Sequence, residues 1–129
     1  SRIRHTRLAI LSRGLGDVYK RQAMHRAAAE LVGTHDFSTF EGTGSPRSDS
    51  IRQVFKAAFF ETEKDYLIFE IEADGFLRFM VRSIVGTLVA VGLGKINPAD
   101  FQSILNSQDR SQAGVTAPPH GLFLMRVTY

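Results

Sequence analysis

Two arginines on one apolar stretch are the residues best suited to chemistry in this sequence. Arg78, Arg82 and Gly86 follow one another at steps of four within residues 75–95, so a helix would place them in one stripe. A guanidinium on a mostly apolar helix costs free energy unless an anion pairs with it, and its planar shape suits a carboxylate or a phosphate. The spacing therefore predicts a semi-buried arginine whose partner is an anion. The alternative is a solvated helix edge whose arginine stems lie on the core.

Other polar groups offer weaker chemistry. His35 and Asp36 are adjacent, but the remaining histidines do not stand at ligand spacing, so no metal site is predicted and Asp36 is interpreted as a turn carboxylate. Residues 47–50 bring an arginine, an aspartate and two serines together in a polar loop with nothing to bury it, and they are interpreted as a turn that leads into the next strand. The chain contains neither cysteine nor a phosphate-binding glycine loop. The residues alone identify no reaction.

The arginine stripe depends on the helix that carries it. The apolar positions of this stretch recur at helical steps, at Phe76, Leu77, Met80, Ile84, Leu88 and Val91. Gly92, Gly94 and Lys95 predict the C-terminus of the helix, because glycine adopts the left-handed conformation and lysine suits the negative end of the dipole. Two arginines in its first turns argue against a membrane span.

The surrounding sequence predicts further helices, a hairpin and a late strand. The predicted elements are a helix over 23–33, a loop over 34–50, strands over 51–61 and 66–74, a helix over 97–107 and a strand over 122–129. Phe37 and Phe40 are expected to anchor the loop in the core, and Asn97 is expected to cap its helix. This order predicts an α+β fold, with helices packed on a mainly antiparallel sheet.

Most of the basic charge lies at the N-terminus. The 129 residues have ordinary globular composition, with 43% hydrophobic and 22% charged residues. Residues 1–22 hold six basic residues and one acidic residue, whereas the rest of the chain holds ten basic and twelve acidic residues. Residues 1–22 also show no clean period. We interpret them as a foreign or misjoined basic leader, with one domain over 23–129, so the net charge of +3 does not itself indicate nucleic-acid binding.

Four segments resemble one enzyme family. They are GTHDFSTF (33–40), SDSIRQV (48–54), FLRFMVRSIVGTLVAVGLGK (76–95) and DRSQAGVTAPPHGLFLMRVTY (109–129). Because they occur in order and at the right separations, residues 23–129 resemble the C-terminal part of the bacterial tRNA pseudouridine synthase A family. The sequence departs from the family at Phe79, where a polar residue is frequent.

The resemblance implies a fold, a reaction and a partner. The family fold has two α+β halves around a continuous sheet, with the active cleft between the halves. Its members isomerise uridine to pseudouridine at positions 38–40 of the tRNA anticodon stem-loop. They work in the cytoplasm as homodimers on tRNA, with no metal, no cofactor and no membrane.

The resemblance also assigns roles to three residues. Arg82 matches the arginine that pairs with the catalytic aspartate across the cleft, and Leu122 and Leu124 match positions at the substrate pocket. The family's Arg-Thr-Asp-x-Gly-Val-His motif belongs to the N-terminal half, and nothing in these 129 residues matches it. We therefore expect a C-terminal fragment that is inactive alone. The alternative function is a non-catalytic module that binds structured RNA.

Overall fold

A computed structural model describes residues 3–11, 18–42, 49–61, 66–113 and 122–128, with the backbone alone for 9–11, 18–20, 66 and 122–128. The strands are β1 (Arg4–Leu11), β2 (Gly33–Asp36), β3 (Ile51–Glu61), β4 (Tyr66–Ala73) and β5 (Leu122–Thr128). The helices are α1 (Val18–Ala29), α2 (Met80–Gly92) and α3 (Phe101–Ser107), with short 3-10 turns at Ser38–Phe40, Pro98–Asp100 and Arg110–Gln112. No helix among the described residues is both long and apolar enough to cross a membrane.

The five strands form one antiparallel sheet in the order β2-β3-β4-β1-β5. The predicted hairpin is confirmed as β3 and β4, and the predicted last strand is confirmed as β5. Helices α1 and α2 pack against each other, and α1 also contacts β3. The predicted α+β class, with helices on a mainly antiparallel sheet, is therefore confirmed.

The hydrophobic core lies between the helices and one face of the sheet. Alternate residues of β4 enter it, since Leu67, Phe69 and Ile71 are all fully buried. The loop anchors are also confirmed, because Phe37 and Phe40 have no exposed surface. Helix residues complete the core, with Met24, Ala27, Ala28, Met80, Ile84, Val85, Leu88 and Val91 among them.

Helix α2 is shorter than its apolar pattern predicted. It begins at Met80 because Phe79 has a φ of 58°. This left-handed backbone conformation is incompatible with a right-handed α-helix. Its predicted end is confirmed. Gly94 has φ of 80°, and the N–H of Lys95 donates to the carbonyl of Ala90 at 2.9 Å, which closes the last turn as a Schellman motif.

The predicted helix over 23–33 and the loop over 34–50 are both wrong at their edges. The helix is α1, which begins five residues earlier at Val18 and ends at Ala29. Gly33, with φ of 118°, then opens β2, which pairs with β3 from Gly33↔Val54 to Asp36↔Ile51. A four-residue strand shows too little alternation to be recognised before its partner is known. The predicted N-cap is confirmed, because the Asn97 side chain accepts from the N–H of Ala99 at 2.9 Å.

The predicted division into a leader over 1–22 and a domain over 23–129 stays a prediction, and part of the predicted leader lies in the sheet. Strand β1 lies inside the sheet and pairs with both β4 and β5, from Arg4↔Ala73 to Leu11↔Tyr66 on the β4 side. Helix α1 runs through residues 22 and 23 without a break. Residues 4–11 therefore form part of the sheet, while a foreign origin of residues 1–22 stays a prediction.

The sheet face opposite the helices carries a buried carboxylate with three basic partners. Glu70 of β4 is only 5% exposed. Its Oε2 lies 2.6 Å from Arg7 Nε and 2.8 Å from His5 Nε2, and its Oε1 lies 2.7 Å from Lys56 Nζ. The hydrogen bond from Lys56 and those from Arg7 and His5 hold the pKa of Glu70 at about 2, against the desolvation that would raise it. The network therefore ties β3, β4 and β1 together.

Replacement of Glu70 by glutamine should change the acid sensitivity of the fold. Because the pKa of Glu70 is lower in the folded state, its contribution is complete above the ordinary pKa of 4.5 and is lost as the pH falls from there towards 2. Glu70→Gln should cost roughly 2 kcal/mol of unfolding free energy at pH 7, and much of this difference should vanish by pH 2.5. Urea unfolding measured across this range tests it.

Glu30→Gln is the control, since Glu30 is exposed just after α1 and makes no ion pair among the described residues. Equal pH profiles for the unmodified chain and Glu70→Gln would show that the network contributes nothing to the acid response.

Candidate active-site surface

Arg82 lies in the first turn of α2 and is exposed. The prediction of a semi-buried arginine is therefore wrong, and the alternative of a solvated helix edge describes its position. The reason is geometric, since Met80, Ser83, Ile84 and the residues that follow them turn towards the core and leave Arg82 on the outer sector. The predicted pairing of Arg82 with an anion stays a prediction. Because the guanidinium is exposed, it bears no desolvation cost when no anion is bound.

The predicted stripe does not extend along the helix. Arg78 precedes α2, Arg82 is exposed, and Gly86 is buried. The burial of Gly86 agrees with a position where the helix backbone approaches its neighbours closely. Arg78 and Arg82 therefore form an exposed basic pair at the start of α2, and Gly86 does not belong to the same surface.

The loop after β2 is held against the start of α2. The Thr39 hydroxyl donates to the carbonyls of Ile104 and Leu105 at 3.0 and 3.1 Å, which fixes the 3-10 turn on α3. Three residues later, the N–H of Gly42 donates to the carbonyl of Arg78 at 2.8 Å. The sequence element GTHDFSTF therefore positions the entrance to the arginine-bearing helix, a role that its residue types alone do not reveal.

Phe79 separates the two arginines and stands out from the rest of α2. Its side chain is 50% exposed, and the Arg78 guanidinium carbon lies 5.0 Å from its ring centroid. In the part of the chain that the structure describes, neither Arg78 nor Arg82 forms an ion pair. The start of α2 therefore presents two positive charges, one of them beside an aromatic ring, and positive charge at this place attracts an anion.

Ser83 follows Arg82 and is an unusual buried group. Its hydroxyl is buried and has no hydrogen-bond partner within the part of the chain that the structure describes. A buried hydroxyl without a partner costs free energy, so this position is less stable than an alanine would make it. Nothing in the sequence pattern distinguished Ser83 from its neighbours.

The two predicted pocket leucines lie in β5. Leu122 pairs with Ile10 and Leu124 pairs with Leu8 of β1. Their predicted contribution to a substrate pocket concerns side chains outside the described residues, and it stays a prediction.

Asp36 is confirmed as a turn carboxylate, because its Oδ1 accepts from the N–H of Ser38 at 2.9 Å and from the hydroxyl of the same residue. Asp49 similarly accepts from the N–H of Ile51 at 2.9 Å. Among the residues described, no group of three histidine, aspartate or glutamate side chains could hold a metal ion. Neither aspartate therefore contributes to a metal centre within that part of the chain.

A polar groove of about 520 Å³ lies where β4 leads towards α2. Its walls are formed by Arg4, Asp49, Ile51, Arg52, Asp74, Gly75 and Phe76. Its polar groups are engaged internally, since Asp74 accepts from the N–H of Gln53 at 2.9 Å and Arg52 donates to the carbonyl of Ile51 at 2.7 Å. These hydrogen bonds hold the strand ends together, so the groove is better explained as part of the fold than as a ligand site.

Comparisons with known proteins agree with the resemblance seen in the sequence. A family model described as tRNA pseudouridine synthase matches residues 27–129. A tRNA pseudouridine synthase A from Thermoanaerobacter sp. (strain X514) is 50% identical over 108 residues, which cover 84% of this chain and 44% of that protein. One of the same name from Exiguobacterium sp. (strain ATCC BAA-1283 / AT1b) is 44% identical over an equal length.

A third relative extends the match towards the N-terminus. A tRNA pseudouridine synthase A from Coxiella burnetii (strain Dugway 5J108-111) is 38% identical over 126 residues, which cover 95% of this chain and 48% of that protein. This match extends into residues 1–22, whereas the family model begins at residue 27. The chain spans about half the length of these curated relatives. By both the family model and these identities, the chain belongs to the tRNA pseudouridine synthase family.

Proposed function

We propose that this chain is the C-terminal half of an enzyme that isomerises uridine to pseudouridine in the anticodon stem-loop of tRNA, at positions 38–40. The observation that carries the proposal is Arg82, a guanidinium in the first turn of α2, exposed and without an ion-pair partner among the described residues. By the sequence resemblance, Arg82 matches the arginine that pairs with the catalytic aspartate in the family. The named relatives and the family model support the same reaction class.

The reaction exchanges one bond to the sugar for another. The bond between N1 of uracil and C1′ of ribose breaks, the base turns, and a bond forms between C5 and C1′. The proton on C5 is lost and N1 gains a proton, so the product is an isomer of the substrate. A carboxylate that assists at C1′ must be ionised, and an adjacent guanidinium favours the ionised form.

Arg82 is suited to hold such a carboxylate because its fork can donate two parallel hydrogen bonds. Helix α2 is fixed at both ends, by the Gly42 contact at its entrance and by the closed turn at Gly94, so the guanidinium projects from a rigid element. The N-terminus of the helix adds a partial positive charge to the same place. In this proposal Arg82 orients the carboxylate and keeps it ionised, while Leu122 and Leu124 form an apolar wall beside the displaced base.

The carboxylate itself would come from another part of the protein. The Arg-Thr-Asp-x-Gly-Val-His motif does not occur in these 129 residues. Turnover is therefore assigned to the complete protein, which we propose to be a cytoplasmic homodimer that acts on tRNA without a metal or cofactor.

The test is substitution of Arg82 in a complete synthase that carries this chain as its C-terminal half. Arg82→Ala should lower kcat about a hundred- to a thousandfold, because the carboxylate loses its orienting group, while the Kd for tRNA changes little. Arg82→Lys should recover only part of the rate, since the charge returns without the planar fork. Single-turnover release of tritium from C5-labelled uridine in tRNA reports the rate.

Arg26→Ala provides the control, because Arg26 is also exposed on a helix but lies on α1. Near-normal turnover of Arg82→Ala would overturn the role of Arg82. A loss of tRNA binding as large as the loss of rate would instead assign Arg82 to RNA binding and not to orientation of the carboxylate.

A further inference from the structure

Phe79 combines a strained backbone with an exposed apolar side chain. Its φ of 58° lies in the left-handed region, which bulky residues rarely occupy, and its side chain is 50% exposed. Burial cannot explain why the chain accepts this strain, since half of the residue faces solvent. Residues held in such conformations by their surroundings are concentrated at functional sites.

The surrounding structure fixes the position of the Phe79 ring. On one side, the Arg78 guanidinium carbon lies 5.0 Å from the ring centroid. On another, Gly42 lies so close that a Cβ at that position would be 2.5 Å from Cδ2 of the ring, a distance that real Cβ atoms do not show. The N–H of Gly42 also bonds to the carbonyl of Arg78 at 2.8 Å. A loop glycine, an arginine and a left-handed backbone therefore hold one ring in place.

We propose that Phe79 is a stacking platform for an unpaired base of the RNA loop, next to the base that reacts beside Arg82. The proposal rests on the proposed function, and it adds a specific contact to it. Phe79 comes three residues before Arg82, so the platform and the reacting centre share the start of α2. Base stacking on an aromatic side chain is the usual way in which proteins hold unpaired RNA bases.

The charges around the ring favour RNA over a protein cover. A protein surface placed on Phe79 would also bury the Arg78 guanidinium, which has no ion pair among the described residues and would then need a carboxylate. A nucleotide supplies a flat base for the ring and a phosphate for the arginines in one ligand. Glu41, which precedes Gly42 in the sequence, accepts a hydrogen bond from Ser50 at 2.7 Å.

The experiment measures binding of the 129-residue chain to a hairpin RNA with the anticodon stem-loop sequence, labelled with 2-aminopurine in the loop. Phe79→Ala should weaken binding about tenfold or more, and it should also abolish the quenching of 2-aminopurine that stacking causes. Phe79→Trp should restore both signals, because stacking needs a ring and not a particular side chain. The salt dependence of binding should not change, since no phosphate contact is removed.

Two further variants make the test specific. Phe55→Ala is the matched control, because Phe55 is 41% exposed but lies in β3, and it should bind as the unmodified chain does. Gly42→Ala keeps the ring but displaces it, so it should weaken binding in the same direction as Phe79→Ala. A fully paired RNA duplex should bind equally to all of these chains.

Three results would overturn the platform. They are unchanged loop binding by Phe79→Ala, an equal loss for loop and duplex RNA, and no binding of the hairpin by the unmodified chain. Failure of Phe79→Trp to rescue would show that the ring serves a structural role. The rate of Arg82→Ala is measured separately, in the complete synthase. A negative result for Phe79 therefore leaves the proposed function standing, and a negative result for Arg82 is obtained without any Phe79 variant.

Discussion

The burial of α2 is the constraint on which the rest of the molecule depends. The helix places a continuous run from Ser83 to Leu88 out of solvent, against α1 and the sheet. Only a narrow outer sector is then left for polar groups, and Arg82 occupies it at the N-terminal end. The position of the guanidinium is thus set by apolar packing that contains no catalytic group. A change in the core that rotated α2 by a fraction of a turn would therefore move the Arg82 guanidinium away from its position, although Arg82 itself was unchanged.

Sequence reasoning succeeded where a signal is local and failed where it depends on a partner. The hairpin, the cap at Asn97 and the glycine-rich end of α2 all follow from neighbouring residues, and all were predicted. Strand β2 has only four residues, and β1 shows its alternation only once its register with β4 is known. The exposure of Arg82 was likewise out of reach, because periodicity shows that a helix has two faces but does not fix the width of the buried one.

The candidate site illustrates the same limit. The arginines were visible in the sequence, and the family resemblance gave Arg82 its role. Phe79 stood out in the sequence only as a departure from the family, because neither its left-handed backbone nor its contact with Gly42 follows from the residue pattern. The cluster around Glu70 was also missed, because His5, Arg7 and Lys56 come from strands far apart in the chain. Both features depend on contacts between distant segments.

The irregular pairing of β3 with β4 has a consequence for how the gene can vary in length. Val54 pairs with Ala73 and Lys56 with Glu72, so Phe55 is an additional residue between two regular ladders. It lets Val54 enter the core while Lys56 reaches Glu70 on the other face. Loss of the single codon for Phe55 would remove the bulge but leave Val54 opposite Ala73 and Lys56 opposite Glu72, so residues 51–54 would keep their faces, whereas loss of a second codon would exchange those faces. Related genes that lack this one codon should therefore still place the same residues on each face of the strand.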